Sequence, residues 1–238
     1  MMQTYPIKRP GTKRSALWRF PWPAAGAMCL LILFAGGMNG GSCADVAPAP
    51  SGRIFSNAAR GGPRLLPRDH VLGDVNAPVR LVVYAEFQSG VSARFFRNEL
   101  PILMAEFIDT GEACLVYRHF PLQARSEPAA RAAECAADVG RFFDYVDAVS
   151  AADIGTDLSD TSLGDLAESI GLDRATFEAC LSGSFHALRV QEDVTSGQAL
   201  GVTGTPTFFV DERRFAGFQS ADVLADAIRR RLNELNGE

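Results

Sequence analysis

A chain of 238 residues with 47% hydrophobic side chains holds enough apolar material for one sizeable core, and its formal charge of −5 hides a split. Residues 1–43 carry five basic side chains (Lys8, Arg9, Lys13, Arg14 and Arg19) and no acid, which leaves 18 basic against 28 acidic beyond them, a net of −10. That acidic remainder has no basic patch and excludes nucleic acid as a partner.

The basic N-terminus runs into AAGAMCLLILFAGGM, Ala24 to Met38, apolar and uncharged. The stretch is short of the about 20 residues a spanning helix needs and suits a signal-peptide core, with Ser42-Cys43-Ala44 as a small-x-small cleavage site. An uncleaved anchor over residues 24–38 is the competing reading, because Trp18, Phe20 and Trp22 extend the apolar stretch toward an interface. Either way, residues 1–44 read as a targeting segment, the chain's only contact with a membrane. The rest is expected in the periplasm or another extracytoplasmic space, secreted or tethered to the inner membrane. Residues 45–69 hold four prolines and three glycines without an apolar period and read as a flexible linker. A folded domain is expected over 70–238.

Within that domain, VRLVVYAEF (Val79 to Phe87) is apolar on consecutive positions, which suits a strand covered on both faces. Phe96, Leu100, Leu103 and Phe107 then recur at spacings of four, three and four, one stripe of a helix, with Pro101 predicting a kink. ACLVYRHF (Ala113 to Phe120) is a second buried strand, so the strand–helix–strand order implies a parallel pair with a right-handed crossover. Residues 127–200 are helical in pattern, punctuated by Gly140, Gly171, Gly183 and Gly201, with Asp173 placed to cap RATFEACL. PTFFVDERRFAG (Pro206 to Gly217) reads as a hairpin turning at Asp211-Glu212. Ser220 is placed to cap a final helix carrying Leu224, Ala227, Ile228 and Leu235 on one face. The order describes one α/β sheet domain interrupted by an all-helical insert.

Five segments resemble the DsbA-like thioredoxin family of exported thiol-disulfide oxidoreductases: LGDVNAPVRLVVYAEFQ from Leu72, LVYRHFPL from Leu115, AARAAECA from Ala129, LDRATFEACL from Leu172 and GVTGTPTFFVD from Gly201. The resemblance covers nearly everything between Leu72 and Leu224. It implies a thioredoxin-like fold with an inserted helical subdomain at about 127–200. It also implies a cis peptide at Thr205-Pro206, in a loop that pairs with extended substrate in the family. Members usually place Cys-x-x-Cys directly after the EFQ-like strand end. In that register this chain has Ser89-Gly90-Val91-Ser92.

The departure reaches the chemistry itself. Thiol–disulfide exchange is attack by a thiolate on a disulfide sulfur, and a hydroxyl at the same place stays protonated and forms no disulfide. No catalytic residue is therefore expected at Ser89 or Ser92, and Glu86 is the one candidate site acid. A serine nucleophile needs an adjacent base, and the three histidines, His70, His119 and His186, read as surface or boundary residues. Retention of Thr205-Pro206 fits either a surface that binds extended or unfolded polypeptide or an exported protein partner, or a proline the fold itself requires. The competing enzymatic readings are redox chemistry from the remaining cysteines and a serine-based, glutathione-dependent activity like that of kappa-class transferases. In that class Ser89 would hold glutathione as thiolate, but a proline usually follows the serine where this chain has Gly90. Family members often carry cysteines in the insert helices, which with export implies a structural Cys135–Cys180 bridge and leaves Cys114 as an inert apolar residue. No metal or cofactor is expected.

Overall fold

The computed structural model describes residues 3–5, 62–123, 126–152 and 158–237. Apart from Gln3–Tyr5, the targeting segment expected over 1–44 lies outside the described residues, as does the linker up to residue 61. The strands are β1 (Gln3–Tyr5), β2 (His70–Leu72), β3 (Val79–Ala85), β4 (Ala113–His119), β5 (Thr207–Val210) and β6 (Arg213–Ala216). They form one mixed sheet in the order β1-β2-β4-β3-β5-β6. β3 and β4 run parallel, from Val79 opposite Ala113 to Ala85 opposite His119. β5 is antiparallel on the other side of β3, and β6 returns from it through the turn at Asp211-Glu212. The short β2, which has no periodic signature, pairs antiparallel with β4, and β1 pairs parallel with β2.

A strand's side chains alternate between faces, and here both faces are covered. Leu81, Val83, Leu115, Tyr117 and Phe208 enter one core, whereas Val82, Tyr84, Cys114, Val116 and Phe209 enter the other. That is why the two central strands read as unbroken apolar runs.

The first face is covered by a helical run made of α1 (Gly90–Arg94), a π-helical turn Phe95–Glu99, α2 (Leu100–Leu103) and a second π-helical turn Met104–Ile108. Phe96, Leu100, Leu103 and Phe107 are all buried, the stripe their spacing predicts. Pro101 brings no N–H to the preceding turn, and the run widens on each side of it: Leu100 N–H reaches back to the Phe95 carbonyl and Asp109 N–H to that of Met104. α8 (Ala221–Asn236) packs beside this run through Leu224, Ala227 and Ile228. Leu235 continues the same stripe toward the C-terminus of α8 but is 46% exposed. Ser220 holds the N-cap position without a side-chain bond. Glu99 supplies the cap instead, its Oε2 accepting from Ala221 N–H at 2.8 Å, and a carboxylate suits the positive end of the helix dipole.

Between β4 and β5 come α3 (Glu127–Ala137), α4 (Phe142–Ala151), α5 (Asp160–Ser169), α6 (Arg174–Ser182) and α7 (Ala187–Ala199). Asp173 caps α6, accepting from Thr176 N–H at 2.9 Å. A Cys135–Cys180 disulfide ties α3 to α6. α7 covers the second face with Val194.

The expected linker ends sooner than residue 69. Leu65 packs against the second core, and Asp69 is fully buried against the Arg118 guanidinium, at 3.0 Å from Nε and 2.9 Å from Nη2. Order here comes from single side-chain bonds rather than an apolar period, so composition alone misreads it.

α7 approaches the sheet closely because Gly197 leaves room. A Cβ at that position would sit 2.8 Å from the Phe120 ring, closer than real contacts allow, and a tight 3.0 Å from the Tyr84 ring. Gly197→Ala should therefore destabilise the fold by about 1–3 kcal/mol despite alanine's better helix propensity, read as a lower urea midpoint.

Candidate functional site

β3 ends at Ala85, and the chain turns through Glu86, Phe87 and Gln88 before the helical run begins. Ser89 is the N-cap: its backbone is extended, its hydroxyl accepts from Ser92 N–H at 3.1 Å, and its own N–H reaches the Glu86 carbonyl at 3.4 Å. A serine in this role satisfies one of the free amides at a helix start. Ser92, one turn along, is buried, and its hydroxyl has no hydrogen-bond partner among the described residues. The two serines thus stand together at the start of α1, one working as a cap and the other as an orphan.

Glu86 is the junction of the site. One carboxylate oxygen accepts from Leu122 N–H at 3.0 Å, and the other accepts from the Thr205 hydroxyl at 3.1 Å. The loops after β3, after β4 and before β5 therefore meet on one side chain. The Thr205-Pro206 peptide is cis, and Thr207 Oγ1 donates to the Gly204 carbonyl at 2.7 Å to fold this loop back on itself. Nothing lies within 4 Å of where a Cβ on Gly204 or Gly90 would be, so the loop and the helix start both face open space. Val91 and Leu122, 46% and 49% exposed, add apolar surface on either side.

Behind this end of the sheet lies a layer that the sequence reading missed. His70 and His119 are buried, and the Nε2 of each lies on the same Glu134 carboxylate oxygen, at 2.8 and 2.9 Å. The His119 ring lies 5.9 Å from Phe87 and 5.1 Å from Tyr117, and Phe142 stacks on His70 at 3.6 Å. Burial pushes the Glu134 carboxyl up, but the hydrogen bonds from His119 and His70 outweigh it and hold the group well below the usual carboxylate range. His119 N–H also donates to Asp193 at 2.9 Å, and Asp193 pairs with Arg189. The sequence signal was present: Arg118-His119 ends an otherwise apolar strand, and buried polar groups need partners.

Every histidine is committed to a carboxylate, His186 to Asp138 at 2.9 Å, so none is set to activate a serine. Cys114 is buried on β4, with its thiol pushed up to about 12 by burial, which makes it a poor nucleophile. Two groups of metal-type ligands occur among the described residues: His70, His119 and Glu134, and Cys135, Cys180 and His186. The first is buried and knit by hydrogen bonds, and the positive charge of Arg189 already acts on Glu134.

A central parallel pair, an antiparallel hairpin, a helical insert and a cis-proline loop beside the helix start define a thioredoxin fold of the DsbA type. The chain belongs to the thioredoxin family described by the Thioredoxin_4 sequence model, which matches residues 66–230. Among solved structures, alpha-DsbA1 from Wolbachia pipientis is 26% identical, with a TM-score of 0.63 over 71% of this chain and 94% of that one. Oxidised BdbD from Bacillus subtilis, 24% identical with a TM-score of 0.64 over 73% and 94%, shows the same fold. A curated relative, Na(+)/H(+) antiporter NhaA 3 of Salinispora tropica, is 33% identical over 193 residues, 78% of this chain. The chain spans 29% of that relative's length.

Two outcomes follow from the serines and from the buried layer. Ser92→Ala should raise stability by about 1 kcal/mol by removing an unmatched buried hydroxyl, whereas Ser89→Ala should lower it by about 1 kcal/mol through loss of the cap, both read from urea midpoints. Glu134→Ala should cost about 3–5 kcal/mol at neutral pH. Because the folded-state value of Glu134 is depressed, its contribution is present above the ordinary value of about 4.3 and lost as pH falls through the depressed one. The gap between wild type and variant should close only well below pH 4.3 in a pH series of unfolding curves.

Proposed function

We propose that this chain is an exported protein that binds extended or unfolded polypeptide, or one exported protein partner, at the Glu86–Thr205 end of its sheet, without thiol–disulfide exchange there. The observation that carries the reading is the clamp itself. Glu86 still gathers three loops around an open backbone segment at Gly204-Thr205, while the two positions at the helix start are hydroxyls, one of them used up as a cap. A guest in extended conformation would add main-chain hydrogen bonds along that segment, with Val91 and Leu122 taking apolar side chains. None of these contacts needs sulfur. The curated relatives' names support a modular role, since this kind of sequence occupies a fraction of longer chains named for a membrane antiporter. Export rests on the N-terminal sequence, which would leave the domain secreted or tethered to the inner membrane by residues 24–38.

The expected result is peptide binding without turnover. Labelled extended peptides should bind the full-length chain in an anisotropy titration, and Gly204→Phe, which fills open space beside the cis-proline loop, should weaken binding at least tenfold without moving the unfolding midpoint. Insulin reduction and oxidation of reduced ribonuclease should stay at background for the wild type and rise in Ser89→Cys/Ser92→Cys. Wild-type turnover that vanishes in Cys135→Ala would assign the chain to the oxidoreductases and overturn the proposal, as would an absence of peptide binding.

A further inference from the structure

The insert holds a second chemical constellation, remote in sequence from the serines. Cys135 and Asp138 stand one turn apart at the end of α3, Asp138 being its C-cap residue. Cys180 lies in the last turn of α6, and His186 is the N-cap residue of α7. The two sulfurs and a ring nitrogen of His186 lie within 4.8 Å of one another. Asp138 Oδ2 completes the set, at 2.9 Å from His186 Nε2 and 3.9 Å from Cys180 Sγ. Three helices thus converge two sulfurs, one imidazole nitrogen and one carboxylate oxygen on a single spot. In sequence the ligands read Cys-x-x-Asp and Cys-x5-His, close to the spacing of structural zinc sites.

We infer that reduction of the Cys135–Cys180 disulfide converts this spot into a tetrahedral zinc site with Cys135, Cys180, His186 and Asp138 as ligands. Two thiolates, a neutral imidazole and a carboxylate form a donor set that a borderline-soft, four-coordinate ion prefers. The step balances simply. A dithiol reductant gives two electrons and two protons to the S–S bond, which breaks into two thiols as the reductant closes its own disulfide. Zinc then displaces the two thiol protons, and the imidazole proton moves from Nε2, where it faces Asp138, to Nδ1. Access exists, because the Asp138 side chain is 58% exposed while Cys135 and His186 are buried behind it. The disulfide and the metal are alternative clasps for the same helices, so loss of one leaves the α3–α6–α7 junction held by the other.

The test uses the full-length chain with Cys29→Ser and Cys43→Ser, so that Cys114 is the one thiol outside the site. After reduction by a dithiol and removal of the reductant, cobalt(II) should bind one to one. Tetrahedral ligand-field bands and thiolate-to-cobalt charge-transfer bands should appear, and zinc should bleach both. The oxidised chain should give neither. Competition with a chromophoric chelator should show zinc binding weakened at least tenfold in His186→Ala and in Asp138→Ala, and unchanged in Cys114→Ala. Both ligand variants keep the disulfide and are purified oxidised, so their folding is secured before reduction. If the reduced, metal-free chain loses helical circular dichroism, zinc should restore it. The inference fails if the reduced chain lacks thiolate bands, if zinc does not restore lost helix, or if His186→Ala binds as tightly as the parent.

Discussion

Arg118 and His119, adjacent at the end of β4, carry the constraint on which the rest depends. Alternation along the strand sends Arg118 into one core and His119 into the other, so a single dipeptide obliges both halves of the molecule to supply partners. Arg118 collects Asp69, Tyr84 and the Arg64 carbonyl, and so pins the segment before β2 across the sheet. His119 collects Glu134 through its ring and Asp193 through its backbone, and so pins α3 and α7. Removing an ion from water costs several kcal/mol, and close pairing roughly returns it, so these bonds fix position more than they add stability. The insert is tied to the strand end through these buried bonds.

The parts of the fold that were legible in the sequence are those governed by repetition. The apolar runs of β3 and β4, the Phe96–Leu100–Leu103–Phe107 stripe, the hairpin at Asp211-Glu212 and the Asp173 cap all obey a period or a local rule. What escaped was decided across space. β2 is three residues long and exists because β4 offers an edge; Asp69 is ordered by one guanidinium; Ser220 yields its capping role to Glu99, 121 positions earlier in the chain. The histidines were misjudged for the same reason. An imidazole near a strand end reads as a boundary residue until Glu134, on a helix that follows, is brought beneath it.

At the site itself, the serine positions were legible but their division of labour was not. Both occupy the start of the helical run, yet only Ser89 finds a backbone amide to serve, while Ser92 faces inward with its hydroxyl unmatched. A thiol tolerates such surroundings better than a hydroxyl, because sulfur is a weak hydrogen-bonding group and behaves as a small hydrophobe. The surroundings of Ser92 offer its buried hydroxyl no polar partner among the described residues. Glu86, by contrast, has both carboxylate oxygens engaged, and through them it joins three loops.

One edge of the sheet carries its own protection against lateral pairing. β6 is a margin strand with Arg213 and Arg214 exposed along it; Arg214 turns aside to the Gly201 carbonyl, and Arg213 lies over the Phe215 ring. A strand margin offers bare amides and carbonyls to any passing chain, and bulky cations there repel a neighbouring copy while obstructing lateral pairing. A sheet with a free margin strand is exposed to edge-to-edge growth with neighbouring copies. The arginine-lined margin of β6 obstructs that route.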